Sequence, residues 1–520
     1  MGAARSIGTL TVLNIAGAVI SVANSVVVAQ FFGTGREVEI YFAASTLQTL
    51  ILSLTQSGQI GEIFLPVYHR LRQASGVKVA QQAFSAILNW MLLFVFALAL
   101  AMWLSASFFL RMLVPGFGAD DQASGVIMFR WILPLLCIQV VFSLVQTLAN
   151  AEKWFGRPES VAVGARLCIV ISILLLAPSM GIWAMVVSMW ISQSFQFLGY
   201  VWMLYRMGYR YSFVFSGREF SAWSIFRKMA VTFLYVGSTQ IYQFGFNAGV
   251  SLLPQGTYAV FKYVQQLYEK TMVVLAVPIS TVFFTHFSEA LAKGSLKVKL
   301  LAQRALTLCL GVSVLTITAV MAAGEPLLNA LWGGKHFGTE NLALAVKFLK
   351  LFYLLLSLWV GLNLITRKIL MTLGFVRQVY LSGVLVQILS AICAWLLIRF
   401  FGIAGAMSVI FINAAAMTLA WMFVLWIYKR DMLVYYPIGH LLKWSAAGLA
   451  GILVGYGVNF FIKQTVLVGN RFGQLLCACV LAGTSVMVTL IIAWLLNIYE
   501  VREGTRLISK KLPFLTVRQP

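Results

Sequence analysis

Residues 7–40 read IGTLTVLNIAGAVISVANSVVVAQFFGTGREVEI, an apolar run that ends at a glycine-rich turn followed by charges. The run over residues 7–31 is long enough to cross a bilayer as one helix. It lacks the short apolar core and cleavage site of a removable signal, so we expect it to stay in the protein. No Lys-Ser or Lys-Thr pair follows the turn at residues 33–35, which excludes a phosphate-binding P-loop.

The composition of the whole chain is that of a membrane protein. Of its 520 residues, 61% are hydrophobic and 10% are charged, and the mean hydropathy is +0.90. A soluble protein carries about 25% charged residues, so a water-facing surface is excluded here. The apolar segments are long runs rather than alternating ten-residue strands, which predicts helices. The sequence therefore predicts an all-α polytopic membrane protein.

Polar and glycine-rich breaks divide the chain into fourteen predicted spans. The spans cover residues 7–31, 40–66, 80–111, 123–150, 160–177, 181–205, 225–250, 258–288, 300–323, 342–366, 378–400, 403–428, 441–462 and 473–498. We expect an N-lobe of spans 1–6 over 1–222 and a C-lobe of spans 7–12 over 223–430. Spans 13 and 14 occupy 431–498, and a basic tail follows over 499–520.

The net charge is +23, and the placement of the basic residues along the chain indicates membrane topology rather than a nucleic-acid partner. About 26 of the 38 basic residues fall in the termini and in the loops after even-numbered spans. About 6 fall in the opposite loops, which is the asymmetry that the positive-inside rule describes. We therefore expect both termini to face the cytoplasm, and we expect no nucleic-acid binding.

Three loops indicate an internal duplication. FGADDQASGVIMFR from Phe117 and FGTENLALAVKFLK from Phe337 share their start and an acidic position, at an offset of 220 residues. At nearly the same offset, Arg157 matches Arg377, and Gly35 matches Gly256. A common offset in three loops predicts two related six-span lobes inserted in the same orientation, an architecture that suits alternating access about a central site.

One polar strip interrupts predicted span 8, in the stretch FKYVQQLYEK. Lys262, Gln266 and Lys270 are four residues apart and so share one helical face, beside a second strip formed by Gln265 and Glu269. One interpretation is a cavity-lining helix that meets an anionic, sugar-bearing substrate. The alternative is an internally neutralised Lys-Glu set that packs the lobes. Because two cations exceed one anion here, the sequence favours the first interpretation.

Other polar residues inside the spans are secondary candidates. Arg130 and Lys350 occupy matching repeat positions, with Lys347 one turn away, and Arg166 lies in span 5. Long basic side chains of this kind can snorkel to the interface, and the sequence favours that structural role for them. Spans 1 and 2 carry amides and an acid that are either sugar-binding groups or interhelical contacts: Asn14, Asn24, Gln48, Gln56, Gln59 and Glu62.

No motif of an enzyme is present in the sequence. There is no Walker A run, no Gly-x-Ser-x-Gly and no zinc-type pairing of the 4 histidines. The 6 cysteines lie in apolar runs and are interpreted as packing residues. We therefore expect no catalytic residue, no metal and no cofactor, and a driving force that comes from an ion gradient or the membrane potential.

Three stretches carry a resemblance to a known family. They are VVVAQFFGTGREVEIYFAASTLQTLILSLTQSGQIGEIFLPVY, LLPQGTYAVFKYVQQLYEKTMVVLAVPISTVFF and LWGGKHFGTENLALAVKFLKLFYLLLSLWVGLNLITRKILMTLGFVRQ. The first resembles the opening of the MviN/MurJ lipid II flippases, which belong to the multidrug/oligosaccharidyl-lipid/polysaccharide (MOP) exporter superfamily. The second and third resemble that family's span 7–8 junction and its span 9–11 region. The resemblance covers most of the chain and implies the same fourteen-span layout.

The departures from the family concern the substrate. The resemblance implies arginines on spans 1, 2 and 8 that contact the diphosphate-sugar head. The matching positions here are Ala18 and Asn24 on span 1, Leu52 or Ser53 on span 2, and Gln266 on span 8. The family's acidic position after the glycine turn is kept as Glu39. Loss of the arginines removes bidentate phosphate recognition, which argues against lipid II.

The resemblance implies a flippase in the bacterial inner membrane. Its expected substrate is a polyprenyl-diphosphate-linked saccharide, an exopolysaccharide or other surface-glycan precursor, whose lipid tail lies in a groove beside spans 13 and 14. Lys262 and Lys270 would attract phosphate, and Gln266, Asn24, Glu39 and Glu269 complete the candidate site. We expect a monomer in contact with membrane lipids and possible glycan-assembly proteins.

Four alternatives stay open at this stage. A lipid II flippase would make the same fold with a different substrate. A cation-coupled multidrug exporter needs a buried carboxylate, which span 1 does not contain. A multispanning glycan polymerase or ligase would have a long extracytoplasmic loop with paired acids or bases. A scaffold without transport activity would bind glycan-assembly proteins only.

Overall fold

The computed structural model describes residues 2–55, 68–152, 154, 156–216, 222–292, 298–462, 470–503 and 505, and every regular element within them is helical. The long helices are α1 Gly2–Phe32, α2 Arg36–Thr55, α3 Val77–Leu104, α4 Ala106–Leu113, α5 Ala119–Ile132, α6 Leu135–Ala151, α7 Gly156–Met180, α8 Trp183–Arg206, α9 Ala222–Ser251, α10 Thr257–Ala292, α11 Val298–Trp332, α12 Thr339–Thr372, α13 Val376–Tyr428, α14 Ile438–Ile462 and α15 Arg471–Leu495. The all-α prediction is confirmed.

Within the described residues, each of the fourteen predicted spans falls on one of these helices, on part of one, or on a consecutive pair. Eight described helices are long and apolar enough to cross a membrane, or nine if the pair α5 and α6, bent by 42°, is one span. The far part of predicted span 2, with Gln56, Gln59 and Glu62, lies outside the described residues. The end of the basic tail, residues 506–520, lies outside them as well.

Predicted spans 11 and 12 meet inside the long helix α13. Gly402 breaks the helix there with φ 55° and ψ −127°. This left-handed conformation costs a residue with a Cβ atom more than it costs glycine, so glycine permits the sharp change of direction. The glycine-rich break that separated the two spans in the sequence is therefore a kink rather than a loop.

The helix starts agree with the internal duplication. α2 begins directly after Gly35, and α10 begins directly after Gly256, 221 residues later. The starts of α5 and α12 are 220 residues apart, as are the starts of α7 and α13. Loops matched by sequence alone thus precede helices that begin at the same register.

The described chain divides into two compact units. Unit 1 comprises Met1–Tyr263, Gly334–Phe337 and Gln387–Ala406. One of its cores lies where α6 packs against α8 and is built from Phe142, Val145, Ala149, Tyr200 and Met203. α1 packs along α7, and α2 packs along α5. These contacts hold the helices that carry the first glycine turn.

Unit 2 comprises Val264–Gly333, Gly338–Val386 and Met407–Pro520. In it α14 packs on α11 and α15 through a glycine stripe. A Cβ atom at Gly451 would overlap the Thr489 hydroxyl, and one at Gly455 would overlap the Ser485 hydroxyl. Small residues that let helices approach this closely are typical of packing within membranes.

Large apolar side chains cover the outer faces of the helices. Leu175 is 72% exposed, Phe400 is 74% exposed and Phe461 is 71% exposed. A soluble protein would have to shield apolar faces of this extent from water. Lipid chains solvate them instead, which agrees with a multi-pass membrane protein.

Candidate functional site

The glycine turn after α1 packs against a second loop of unit 1. Gly33 has φ 57°, and a Cβ atom on it would overlap the backbone carbonyl of His336. The Thr34 amide donates a hydrogen bond to the same carbonyl oxygen at 3.4 Å. Glycine is required here because the turn is left-handed and the neighbouring backbone leaves no room for a side chain.

Glu39 lies in the first turn of α2 and caps the start of α10. Its Oε1 accepts hydrogen bonds from the backbone amides of Gly256 at 2.9 Å and Ala259 at 3.4 Å. These amides lie just before and within the first turn of α10, where N–H groups have no partner within the helix and the helix dipole favours a negative charge. Glu39 is 1% exposed, so the carboxylate serves this contact.

Arg36 neutralises the buried carboxylate from one side. Its Nη1 is 2.9 Å from Oε2 of Glu39, and its Nε is 3.2 Å from Oδ2 of Asp121. The guanidinium also lies 4.5 Å from the centre of the Phe117 ring. Arg36 is not among the site residues predicted from the sequence, although its position three residues before Glu39 places both on one helical face.

Tyr263 joins α10 to the glycine turn. Its hydroxyl donates to the carbonyl oxygen of Gly33 at 3.0 Å. Its ring packs edge-on to Phe42, with centroids 5.3 Å apart, and lies 5.6 Å from Phe337. We use the name Glu39 junction for this set of contacts. It joins the start of α10 to Gly33, Arg36, Glu39, Tyr263 and His336.

The electrostatics of the junction come from opposing effects on Glu39. This residue precedes the predicted apolar span 2, which starts at Ile40. Burial raises the pKa of Glu39 above its ordinary value, while Arg36 and the backbone amides of Ala259 and Gly256 act to lower it. Hydrogen bonds to the charged form stabilise the carboxylate against the cost of burial.

The polar strip on α10 contains one buried and one exposed cation. Lys262 is 9% exposed, and its Nζ lies 5.4 Å from the centre of the Tyr258 ring. Lys270, eight residues further on, is exposed, and Gln266 between them is exposed too. Helical spacing places the three on one face, but the structure gives them different surroundings.

Glu269 is exposed and accepts a hydrogen bond from Gln265 at 2.8 Å. The two residues are four apart, so this contact lies within α10. Glu269 is therefore engaged by an amide of its own helix.

The secondary candidates have structural contacts. Arg130 donates from Nε to the carbonyl oxygen of Trp103 at 3.2 Å and lies 4.7 Å from the centre of that ring. Lys350 is 3.3 Å from the Tyr456 hydroxyl. Lys347 is exposed. The contacts of Arg130 and Lys350 agree with the structural role that the sequence favoured for them.

The amides of spans 1 and 2 differ from one another. Gln48 is buried and donates to Oε1 of Gln139 at 3.2 Å, which makes it an interhelical contact between α2 and α6. Asn24 is partly buried, and its Oδ1 has no hydrogen-bond partner among the described residues. Of the two, Asn24 has an acceptor left for a ligand.

Three solved structures are similar to this fold. A structure described as lipid II flippase MurJ in an inward closed conformation matches with a TM-score of 0.78 at 16% identity, over 93% of this chain and 97% of that one. An inward-facing multidrug resistance MATE family transporter of the MOP superfamily matches with a TM-score of 0.62 at 13% identity, over 81% and 98%. A MOP superfamily transporter from Pyrococcus furiosus matches with a TM-score of 0.57 at 14% identity, over 81% and 94%. These matches show that the chain shares its fold with the three solved structures.

The family follows from the sequence itself. The sequence model described as lipid II flippase MurJ matches residues 28–470, which is most of the chain. The chain belongs to the MurJ family, and the predicted resemblance is confirmed. It is a transporter rather than an enzyme, which agrees with the lack of a catalytic motif.

Proposed function

We propose that this protein moves a polyprenyl-linked saccharide, an exopolysaccharide or other surface-glycan precursor, across the bacterial inner membrane by alternating access. The observation that carries the proposal is the set of residues at the family's arginine positions. Ala18, Asn24 and Gln266 cannot supply the charge of a guanidinium. A family member without these arginines needs a head group that is recognised in another way.

The proposed recognition uses point charges and amides. Lys270 is exposed, and Lys262 lies two helical turns earlier on the same face of α10. An ammonium attracts phosphate without the fixed geometry of a guanidinium fork. Gln266 lies between the two lysines and can bond sugar or phosphate oxygens.

The Glu39 junction supports the alternating-access part of the proposal. Its bonds join the first glycine turn to the start of α10, so a conformational change that separates them must break the contacts of Glu39 and Tyr263 together. A switch of this kind has two discrete packed states rather than a continuous range. We assign the junction the role of a latch that holds one of these states.

Lipid II is the second candidate substrate, because the matching family is described by that activity. Lys262 and Lys270 lie one helical turn on either side of Gln266, the position of the lost arginine. They would have to replace its charge in a lipid II flippase. The two candidates share a polyprenyl diphosphate and differ in the saccharide.

Transport into proteoliposomes separates the two candidates. The purified full chain is reconstituted with undecaprenyl-diphosphate-linked oligosaccharide carrying a fluorescent sugar, and accessibility to a membrane-impermeant quencher is followed with time. Parallel vesicles contain fluorescent lipid II. We expect the protein to accelerate movement of the oligosaccharide lipid and to move lipid II at least about tenfold more slowly, the cost of about 1.4 kcal/mol in recognition.

Equal rates for the two lipids would contradict the proposed substrate preference. Movement of neither lipid above the rate of protein-free vesicles would contradict the transport function and leave the scaffold alternative. A chain carrying Lys270→Gln serves as the matched control for nonspecific leakage, since it keeps the same helices and lacks one exposed cation of the proposed site.

A further inference from the structure

Arg166 is a cation deep within a span, and the proposed function has not used it. It is the eleventh residue of α7, which begins at Gly156, so it lies about 15 Å along the helix. α7 is one of the helices long and apolar enough to cross a membrane. A charge at this depth is costly unless it faces protein or water, and it is therefore a candidate functional residue.

The guanidinium of Arg166 rests on the backbone of α1. A Cβ atom added to Gly17 would overlap its Nη1 atom and lie 3.2 Å from its Cζ atom. Glycine at this position therefore makes room for the guanidinium. Exposure of the Arg166 side chain is 40%, so the group is supported on one side and open on the other.

The face of α1 that meets Arg166 is polar. Gly17, Ser21 and Asn24 follow one another at helical spacing and share this face. The Ser21 hydroxyl is bonded to the Gly17 carbonyl oxygen at 2.8 Å. The Asn24 Oδ1 is a buried acceptor with no hydrogen-bond partner in the described part of the chain. It lies about 10 Å further along the helix than Gly17.

Glu159 engages Arg166 incompletely. Its Oε1 is 3.6 Å from Nη2 of Arg166, and it is the one acid within ion-pair distance among the described residues. Charge-assisted hydrogen bonds between such groups are normally about 2.7–2.9 Å long. A guanidinium has five N–H donors, so most of the donors of Arg166 remain available to another anion.

We infer that Arg166 binds the diphosphate of the transported lipid and that Asn24 accepts a hydrogen bond from its saccharide. The inference rests on the proposed function and adds a guanidinium to a site otherwise built from lysines and amides. The planar fork matches two phosphate oxygens. The spacing between Gly17 and Asn24 separates a phosphate level from a sugar level along α1, so the head group has a defined direction.

Binding of two lipids to the purified full chain tests this assignment. The probes are undecaprenyl diphosphate and undecaprenol, which share the tail and differ in the diphosphate, and binding is measured by native mass spectrometry. We expect Arg166→Gln to weaken undecaprenyl diphosphate binding by about tenfold or more and to leave undecaprenol binding unchanged. Arg166→Lys should recover only part of the affinity, because an ammonium does not reproduce the fork.

Two further variants sharpen the result. Gly17→Ala should weaken diphosphate binding as well, because its methyl group displaces the guanidinium. Glu159→Gln should leave diphosphate binding unchanged or stronger, since it removes a competing anion. Arg157→Gln is the matched control, because Arg157 is exposed and stacks on Trp154 at 3.9 Å from the ring centre.

Equal affinity of the wild type and Arg166→Gln for undecaprenyl diphosphate would overturn the inference. So would a parallel loss for both probes together with a lower unfolding temperature, which is the signature of a structural Arg166–Glu159 pair. A wild type that moves lipid II alone would overturn the proposed saccharide and leave this assignment standing, since both substrates carry a diphosphate. A wild type that binds neither probe would overturn both.

Discussion

Two neighbouring parts of α10 carry polar groups, and the two sets of groups have different surroundings in the structure. From Thr257 to Tyr263 the aromatic hydroxyls and the amides are buried and bonded to neighbouring helices and turns. From Gln265 to Lys270 the charged and amide side chains are largely exposed. A polar residue in a membrane helix is therefore available to a ligand only where neighbouring groups do not already form its hydrogen bonds.

This difference predicts two kinds of mutational effect. Changes in the bonded part should lower the stability of the fold, because they leave buried groups without partners. Changes in the exposed part should lower transport and leave stability unchanged. Four variants, in decreasing order of expected effect, test this distinction.

The double variant Lys262→Gln/Lys270→Gln should abolish glycan export. It removes both cations of the strip on α10 and with them the attraction for phosphate. Export is measured in cells by surface glycan, and membrane abundance by immunoblot. Lys262 is buried and Lys270 is exposed, so the single variant Lys270→Gln should lower export with unchanged abundance, while Lys262→Gln alone tests for a loss of stability. The matched control is Lys299→Gln/Lys443→Gln, which removes two exposed lysines from other helices. Normal export by the first double variant would disprove the site.

Glu39→Ala should destabilise the protein by about 3 kcal/mol, because the variant leaves two buried backbone amides without their charged acceptor. Unfolding is followed by intrinsic fluorescence in detergent. Transport should fall too, since the latch is lost. Glu37→Ala is the control, because Glu37 is exposed on the same helical turn. An equal effect of the two variants would show that the junction contributes no special stability.

Tyr263→Phe should cost about 1 kcal/mol, the net value of one hydrogen bond. The ring keeps its packing against Phe42 and Phe337, and only the hydroxyl that bonds Gly33 is removed. The same unfolding measurement applies, with Tyr205→Phe as the control, since Tyr205 is 79% exposed. No difference between the variants would mean that the Gly33 carbonyl finds another donor.

Lys350→Gln should change transport by no more than about twofold, because a partly exposed cation–aromatic contact is worth about 0.5 kcal/mol. The Lys350 ammonium is engaged by Tyr456 rather than open to a ligand. The same assay applies to Arg130→Gln, whose cation lies over Trp103. A loss of export as large as that of the double lysine variant would return both residues to the candidate site.

The sequence was sufficient for the helices and for their repeat. Apolar runs, glycine breaks and an offset of 220 residues located the starts of α5 and α12, and Gly402 marked the break in α13. These features are local or depend on spacing along the chain. The length of an apolar run is a direct consequence of bilayer thickness, so it can be read without knowledge of the packing.

The candidate site was only partly predictable. The family resemblance pointed to Glu39, but its partners, the amides of Gly256 and Ala259, lie more than 200 residues away. Helical periodicity placed Lys262 and Lys270 on one face and could not show that one is buried and the other exposed. The support of Arg166 by Gly17 depends on how α1 and α7 cross, which no pattern in either helix specifies.

The Glu39 junction also records how the two repeats have diverged. Glu39 is the fourth residue of α2, and the fourth residue of α10 is Val260, which is fully buried. In a contact between identical halves, each half would give and receive the same bond. Here the first repeat supplies the carboxylate and the second supplies only amides. The hydrogen bonds run in one direction only, so the two turns have different roles: α2 supplies the charged acceptor and the start of α10 supplies the donors.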